Sequence, residues 1–185
     1  MPEERRPLRV LQLIGDTDVV VSHLAALALH RELARAGLEV RTLALAPGRH
    51  GGLEQDVPSI APGRRTFAAR GQVFHESRWA DVVVLHAPRA LTPATVPSRR
   101  GERVPVVVAY WEAPADRVAA TWSAEGRLAR TAEVLVASSE SVATAVRHRC
   151  GRAAAVKVVP ADLGDPGRPV PDGAAWVELL TGATL

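Results

Sequence analysis

The sequence predicts an α/β fold, a single domain built on a doubly wound, mainly parallel sheet. Three observations carry this. Short, near-continuous apolar runs rich in Val, Leu and Ile recur along the chain, as strands buried on both faces require. Segments of helical period separate them. The first run, the first helix and the second run together take about 37 residues, the size of a strand, helix, strand crossover.

The elements follow in order. Leu8 to Ile14 is a buried strand, and Gly15-Asp16-Thr17-Asp18 ends it. Val20 to Ala36 carries apolar pairs at Val20/Leu24, Leu24/Leu27 and Leu29/Leu33 and stops at Gly37, a residue suited to the turn just beyond a helix. Leu38 to Leu45 is the second strand. Seven glycines and prolines between Ala46 and Gly63 mark a long loop, either functional or mobile. Arg64 to Trp79 reads as a short strand followed by a helix, with Phe67, Val73, Phe74 and Trp79 as apolar members. Strands are then expected at Asp81 to His86, Val104 to Tyr110 and Glu133 to Ala137, with a helix around Asp116 to Arg130. Ser139 is placed to cap a helix from Glu140 to His148, whose acidic start and basic end suit the helix dipole. Ala155 to Val159 is the last strand. The domain therefore spans 1–160, and 161–185 is a Pro/Gly-rich tail ending in a short helix with Trp176, Leu179 and Leu180 on its apolar side.

Composition removes several classes of function. At 185 residues there is room for one sizeable domain. No apolar run approaches the roughly 18 residues of a membrane span, and the charged start Met1-Pro-Glu-Glu-Arg-Arg lacks the pattern of a secretory signal. With a single cysteine, Cys150, this reads as a cytoplasmic protein. The net charge of +3 comes from arginines scattered among 20 acids, and aromatics make up 4%, so no basic stripe with stacking rings exists for nucleic acid. A P-loop needs a Gly-Lys pair after a strand, yet the one lysine, Lys157, lies within the last strand. G-x-G-x-x-G does not follow the first strand, where Asp16 and Asp18 would repel phosphate, and G-x-S-x-G occurs nowhere. The histidines lack metal-ligand spacing, so no metal is expected. Arg64 and Arg65 with Phe67, Phe74 and Trp79 allow peripheral membrane contact as one reading and an ordinary solvated surface as the other.

In a doubly wound fold, ligands bind outside the carboxyl ends of the strands. The residues found there are Gly15 to Asp18, His86, Trp111-Glu112 and Ser138-Ser139-Glu140.

Several segments resemble, in order, the amino-terminal domain of family 4-like glycosyltransferases with the GT-B fold. Ser22-His23-Leu24-Ala25-Ala26-Leu27-Ala28-Leu29, with Gly37-Leu38-Glu39-Val40, is similar to the family's first helix and second strand. Asp81-Val82-Val83-Val84-Leu85-His86, Val104 to Tyr110, Arg130 to Ser139 and Val156-Lys157-Val158-Val159-Pro160 resemble its later strands. The likeness covers about residues 8 to 160 and implies a Rossmann-like lobe that binds the acceptor. Three departures stand out. Asp18-Val19-Val20 replaces the family's Gly-Gly loop, Trp111 takes the position of its histidine, and Ala161-Asp162 replaces Asn-Gly.

The resemblance implies Glu112 or His86 as the base for an acceptor hydroxyl, and Trp111 as a stacking platform for a sugar ring. Substrate contacts are expected from Asp16, Asp18, Ser22, His23, Trp111 and Ser139. It implies no cofactor in this chain. A nucleotide-sugar donor is expected only with a second Rossmann-like domain or chain, and the acceptor would be a saccharide or a glycosidic compound. The alternative is a non-catalytic binding or scaffold module that keeps the fold, which the replaced histidine and the missing Gly-Gly pair support.

Overall fold

The computed structural model describes residues 6–60, 66–87, 105–111, 132–150, 156–162 and 170–184. Six strands form one sheet: β1 (Arg9–Ile14), β2 (Glu39–Ala44), β3 (Val82–Ala87), β4 (Val106–Trp111), β5 (Val134–Ala137) and β6 (Val156–Val158). Their spatial order is β2-β1-β3-β4-β5-β6, and every pairing is parallel. Around them lie α1 (Val21–Arg35), α2 (Thr66–Trp79), α3 (Glu140–Cys150) and α4 (Gly173–Thr184). The molecule is a Rossmann-like α/β domain.

The unbroken apolar runs have a direct cause, because successive side chains of a strand point to opposite faces and both faces here are covered. On one face Leu11, Leu13, Val83, Leu85, Val107, Ala109 and Leu135 pack against Val73 of α2 and Val142, Ala143 and Val146 of α3. On the other, Val10, Val82, Val84, Val108, Tyr110 and Val136 meet Leu29 and Leu33 of α1 and Trp176, Leu179 and Leu180 of α4. The tail's helix is therefore part of the core. It lies on the α1 face rather than over the strand tips. A two-stranded hairpin, β7 (Ala161–Asp162) with β8 (Val170–Pro171), leads into it.

Local sequence explains the ends of the helices. Gly37 closes α1 at φ 86°, where a side chain would be strained, and the amides of Gly37 and Leu38 turn back onto Ala34 and Leu33. Ser139 Oγ accepts the Val142 amide at 3.3 Å, as expected of the α3 cap. At α4 the same part is played by Asp172, whose carboxylate accepts the Ala175 amide at 3.0 Å. The stretch read as strand then helix at Arg64 to Trp79 is helical from Thr66, with no strand among its described residues. The helix expected near Asp116 to Arg130 lies outside the described residues.

The loop following β2 is pinned along its described length. Ala44 bonds to Pro58 and Ile60 as an extra rung beyond β2, and Val57 is buried. At its tip, Thr17 Oγ1 accepts the Gly48 amide at 2.8 Å and donates to Glu54 at 3.0 Å. A Cβ on Gly48 would lie 2.3 Å from Asp18 Oδ1 and 2.6 Å from the Asp18 nitrogen, so only glycine fits there. No helix among the described residues is long and apolar enough to cross a membrane.

Candidate functional site

The strand order reverses at β1, with β2 on one side and β3 onward on the other. At such a switch point the loops leaving the two central strands diverge and open a crevice at their carboxyl ends. In this chain that place is where the Gly15 to Val20 loop and the end of β3 part.

Two histidines occupy it. His86 ends the buried part of β3 and His23 sits in the first turn of α1, with 2% and 1% of their surfaces exposed. His23 Nδ1 donates to the Asp18 carbonyl at 2.7 Å and stands 3.6 Å from Asp16 Oδ1. A carbonyl oxygen only accepts, so this bond places a proton on Nδ1. His86 Nε2 donates to Gln12 Oε1 at 2.8 Å. Burial, with the neighbouring charge of His23 as a second cause, pushes His86 down to about 3. It is neutral throughout the physiological range.

An aromatic file supports His86 from behind. The Tyr110 ring meets it edge to face at 5.7 Å, and Trp176 meets Tyr110 in the same manner at 4.9 Å. A residue of the last helix thereby buttresses the floor of the crevice.

The expected site residues divide into groups. His23, His86 and Asp16 come together at the switch point. Ser22 is partly exposed in the first turn of α1, beside His23. Trp111 is the last residue of β4, in register with Ala87 and Ala137 at the same end of the sheet. Glu112 lies outside the described residues. Asp18 and Ser139 are engaged in holding backbone. The Asp18 carboxylate accepts the amides of His50 at 2.7 Å and Gly51 at 3.0 Å, and these bonds hold it below the usual carboxylate range. Ser139 is the helix cap described above.

For His86, the surroundings change the chemistry that the sequence suggests. A general base works best with a pKa near the working pH, and a histidine depressed to about 3 is a weak proton acceptor. Its environment suits a neutral hydrogen-bonding group. Sequence reasoning missed Gln12, Tyr110 and Thr17. Gln12 alone gave a signal, as an amide inside the apolar run Val10 to Ile14. Among the described residues no group of three or more His, Cys, Asp or Glu side chains could hold a metal ion.

Comparison with solved structures places the fold. The chain is similar to HepE of Anabaena, crystallised with UDP and glucose, at a TM-score of 0.60 and 18% identity over 83% of this chain and 44% of that one. It is likewise similar to MurG of Acinetobacter baumannii, at a TM-score of 0.53 and 18% identity, covering 83% and 45%. These neighbours are GT-B glycosyltransferases. At this identity the likeness establishes the fold. The chain spans under half the length of either. No protein-family model matches it, and no curated protein sequence does.

Proposed function

We propose that this chain is the acceptor-binding amino-terminal half of a glycosyltransferase, of family 4-like descent, that transfers a sugar from a nucleotide-sugar donor. It is inactive without a nucleotide-binding domain. The observation that carries the reading is what the switch point gathers. A doubly wound lobe, similar over 83% of its length to less than half of HepE, gathers two buried histidines and an aspartate at its switch point.

Glycosyl transfer needs a cradle for the departing diphosphate, stabilisation of an oxocarbenium-like transition state and a group to receive the acceptor's proton. This lobe supplies acceptor binding and proton transfer. Asp16, Ser22 and His23 hold acceptor hydroxyls, neutral His86 fixes the crevice floor and Trp111 stacks on the sugar's apolar face. Glu112 is the base, since His86 is too acidic for that task. The cradle for the nucleotide belongs to a second Rossmann-like domain or chain facing the strand ends.

Two measurements test this. A tagged copy expressed in its native source is expected to recover a protein with a nucleotide-sugar domain. Titration of the chain with mono- and disaccharides by NMR is expected to move the resonances of His23, His86 and Trp111. Recovery of no such protein, together with silence at those three residues, refutes the reading and favours the scaffold module, which the replacement of the family's histidine by Trp111 supports.

A further inference from the structure

The edge of the sheet at β2 is closed at one end and open along the rest. Parallel strands bond through alternate residues, and the Glu39 amide donates to Leu8 while the Leu45 amide donates to Ile14, each at 3.0 Å. The main-chain groups of Glu39, Arg41 and Leu43 therefore serve the ladder to β1, and those of Val40, Thr42 and Ala44 point away from it. Ala44 uses its outward amide on Pro58 and its outward carbonyl on Ile60. Val40 and Thr42 have no main-chain partner on that side among the described residues.

A cavity of about 530 Å³ lies against this open edge. Arg41, Thr42 and Leu43 all line it, and consecutive residues of a strand point to opposite faces, so a space that touches all three lies beside the strand rather than over one face. His30 of α1 bounds it from one face, and Gln72 and Glu76 of α2 bound it from the other. Thr42 is buried, and a buried amide and carbonyl without partners are costly. Ser59 Oγ, which lines the same cavity, is also buried and without a hydrogen-bond partner among the described residues.

We propose that this edge is a docking site for an extended peptide segment of another protein, one that carries a lysine or arginine and binds by adding a strand to β2. An added strand runs about 4.8 Å from its neighbour and both gives and accepts main-chain bonds, which matches the free amides and carbonyls of Val40 and Thr42. Charge selects the side chain. Glu76 is paired with Arg41 at 2.9 Å and accepts from Gln72 at 3.3 Å. That leaves Asp56 as an exposed carboxylate on the cavity wall with no ion pair among the described residues.

A second copy of this chain fits the edge poorly. Two β2 edges paired about a twofold, with Val40 opposite Thr42, set the turn at Gly37 and Leu38 of each copy against Ala44 of the other, where Pro58 to Ile60 already sit. The far edge of the sheet is protected in the usual way, since β6 has three residues and carries the exposed Lys157. By contrast β2 has six residues, and its charged side chains, Glu39 and Arg41, are held by Arg9 and Glu76. The site lies along the side of the sheet, apart from the strand ends, so it stands independently of the acceptor reading.

Hydrogen exchange read by NMR on the full chain tests the site. In the free chain the amides of Val40 and Thr42 are expected to exchange faster than those of Arg41 and Leu43. A displayed library of short random peptides is then selected on the chain, and the peptide recovered, blocked at both ends, is titrated in. It is expected to be rich in β-branched residues, to contain lysine or arginine and to slow exchange at Val40 and Thr42. Its affinity for Asp56→Asn is expected to be about two- to fivefold weaker, and methylation of its bonding amides is expected to abolish binding. Slow exchange at Val40 and Thr42 in the dilute free chain overturns the inference, as does protection that grows with the concentration of the chain alone, the mark of a second copy. Selection of no peptide, of acidic peptides or of peptides that leave both amides unprotected overturns it as well, and so does equal affinity for wild type and Asp56→Asn.

Discussion

Acidification is expected to destabilise this domain well above the pH at which carboxylates titrate, and His86 sets the size of the effect. Its folded-state value is about 3, against about 6.5 in an unfolded chain. Between those values the unfolded chain binds one proton more than the folded one, so stability falls as the pH falls. The contribution is fully present above about pH 6.5 and shrinks by about 1.4 kcal/mol per pH unit below it. Going from pH 7.5 to pH 5 therefore removes about 2 kcal/mol through His86. His30, also depressed by burial, acts with the same sign. Asp18 and Glu54 are held below the ordinary carboxylate range, so their loss falls at lower pH, outside this window. The assay is urea unfolding at pH 7.5, 6.5, 5.5 and 5.0, with His86→Gln as the comparison. Glutamine keeps an amide donor and cannot titrate. The wild type is expected to lose about 2 kcal/mol more than the variant across this range, at unchanged m-value. Parallel pH profiles for the two proteins would refute the reasoning, since the buried ring would then not be held neutral by folding.

Other expectations follow from packing and capping. Trp176→Ala empties a fully buried site against Tyr110 and is expected to cost about 3–5 kcal/mol in thermal or urea unfolding, and to shift the His86 resonances through Tyr110. Gly48→Ala forces a methyl group onto Asp18, so the loop after β2 is expected to detach, seen as faster hydrogen exchange at His50 and Gly51, with a stability loss of about 1–3 kcal/mol. Ser139→Ala removes the α3 cap and is expected to cost about 1 kcal/mol without altering saccharide-induced shifts at His23, a separation that NMR titration reads directly.

The aromatic file gives the last helix a part in the crevice. Read from sequence, residues 161–185 are a tail outside the domain, because the proline and glycine content after Pro160 interrupts the regular alternation of strands and helices. Composition reports local backbone preference, whereas the burial of Trp176 depends on a groove between α1 and β4 that exists only once the sheet has formed. Asp18 shows the same limit in reverse. As an acid just beyond a strand it has the placement of a ligand-binding group, but the folded chain brings the amides of His50 and Gly51 to its carboxylate.

By itself the sequence determined the fold class, the order of the strands along the chain and the ends of α1 and α3. Burial on both faces demands consecutive apolar residues in a strand, and Gly37 and Ser139 act on bonds within a few residues of themselves. Only the tertiary structure decided which polar side chains meet. His86 reaches Gln12 across 74 positions of sequence and Gln12 reaches Thr42 across 30, because parallel strand pairing sets their register. Local pattern records whether a residue is covered. What covers it is fixed by distant pairing, and that pairing places His23 and His86 in the same crevice.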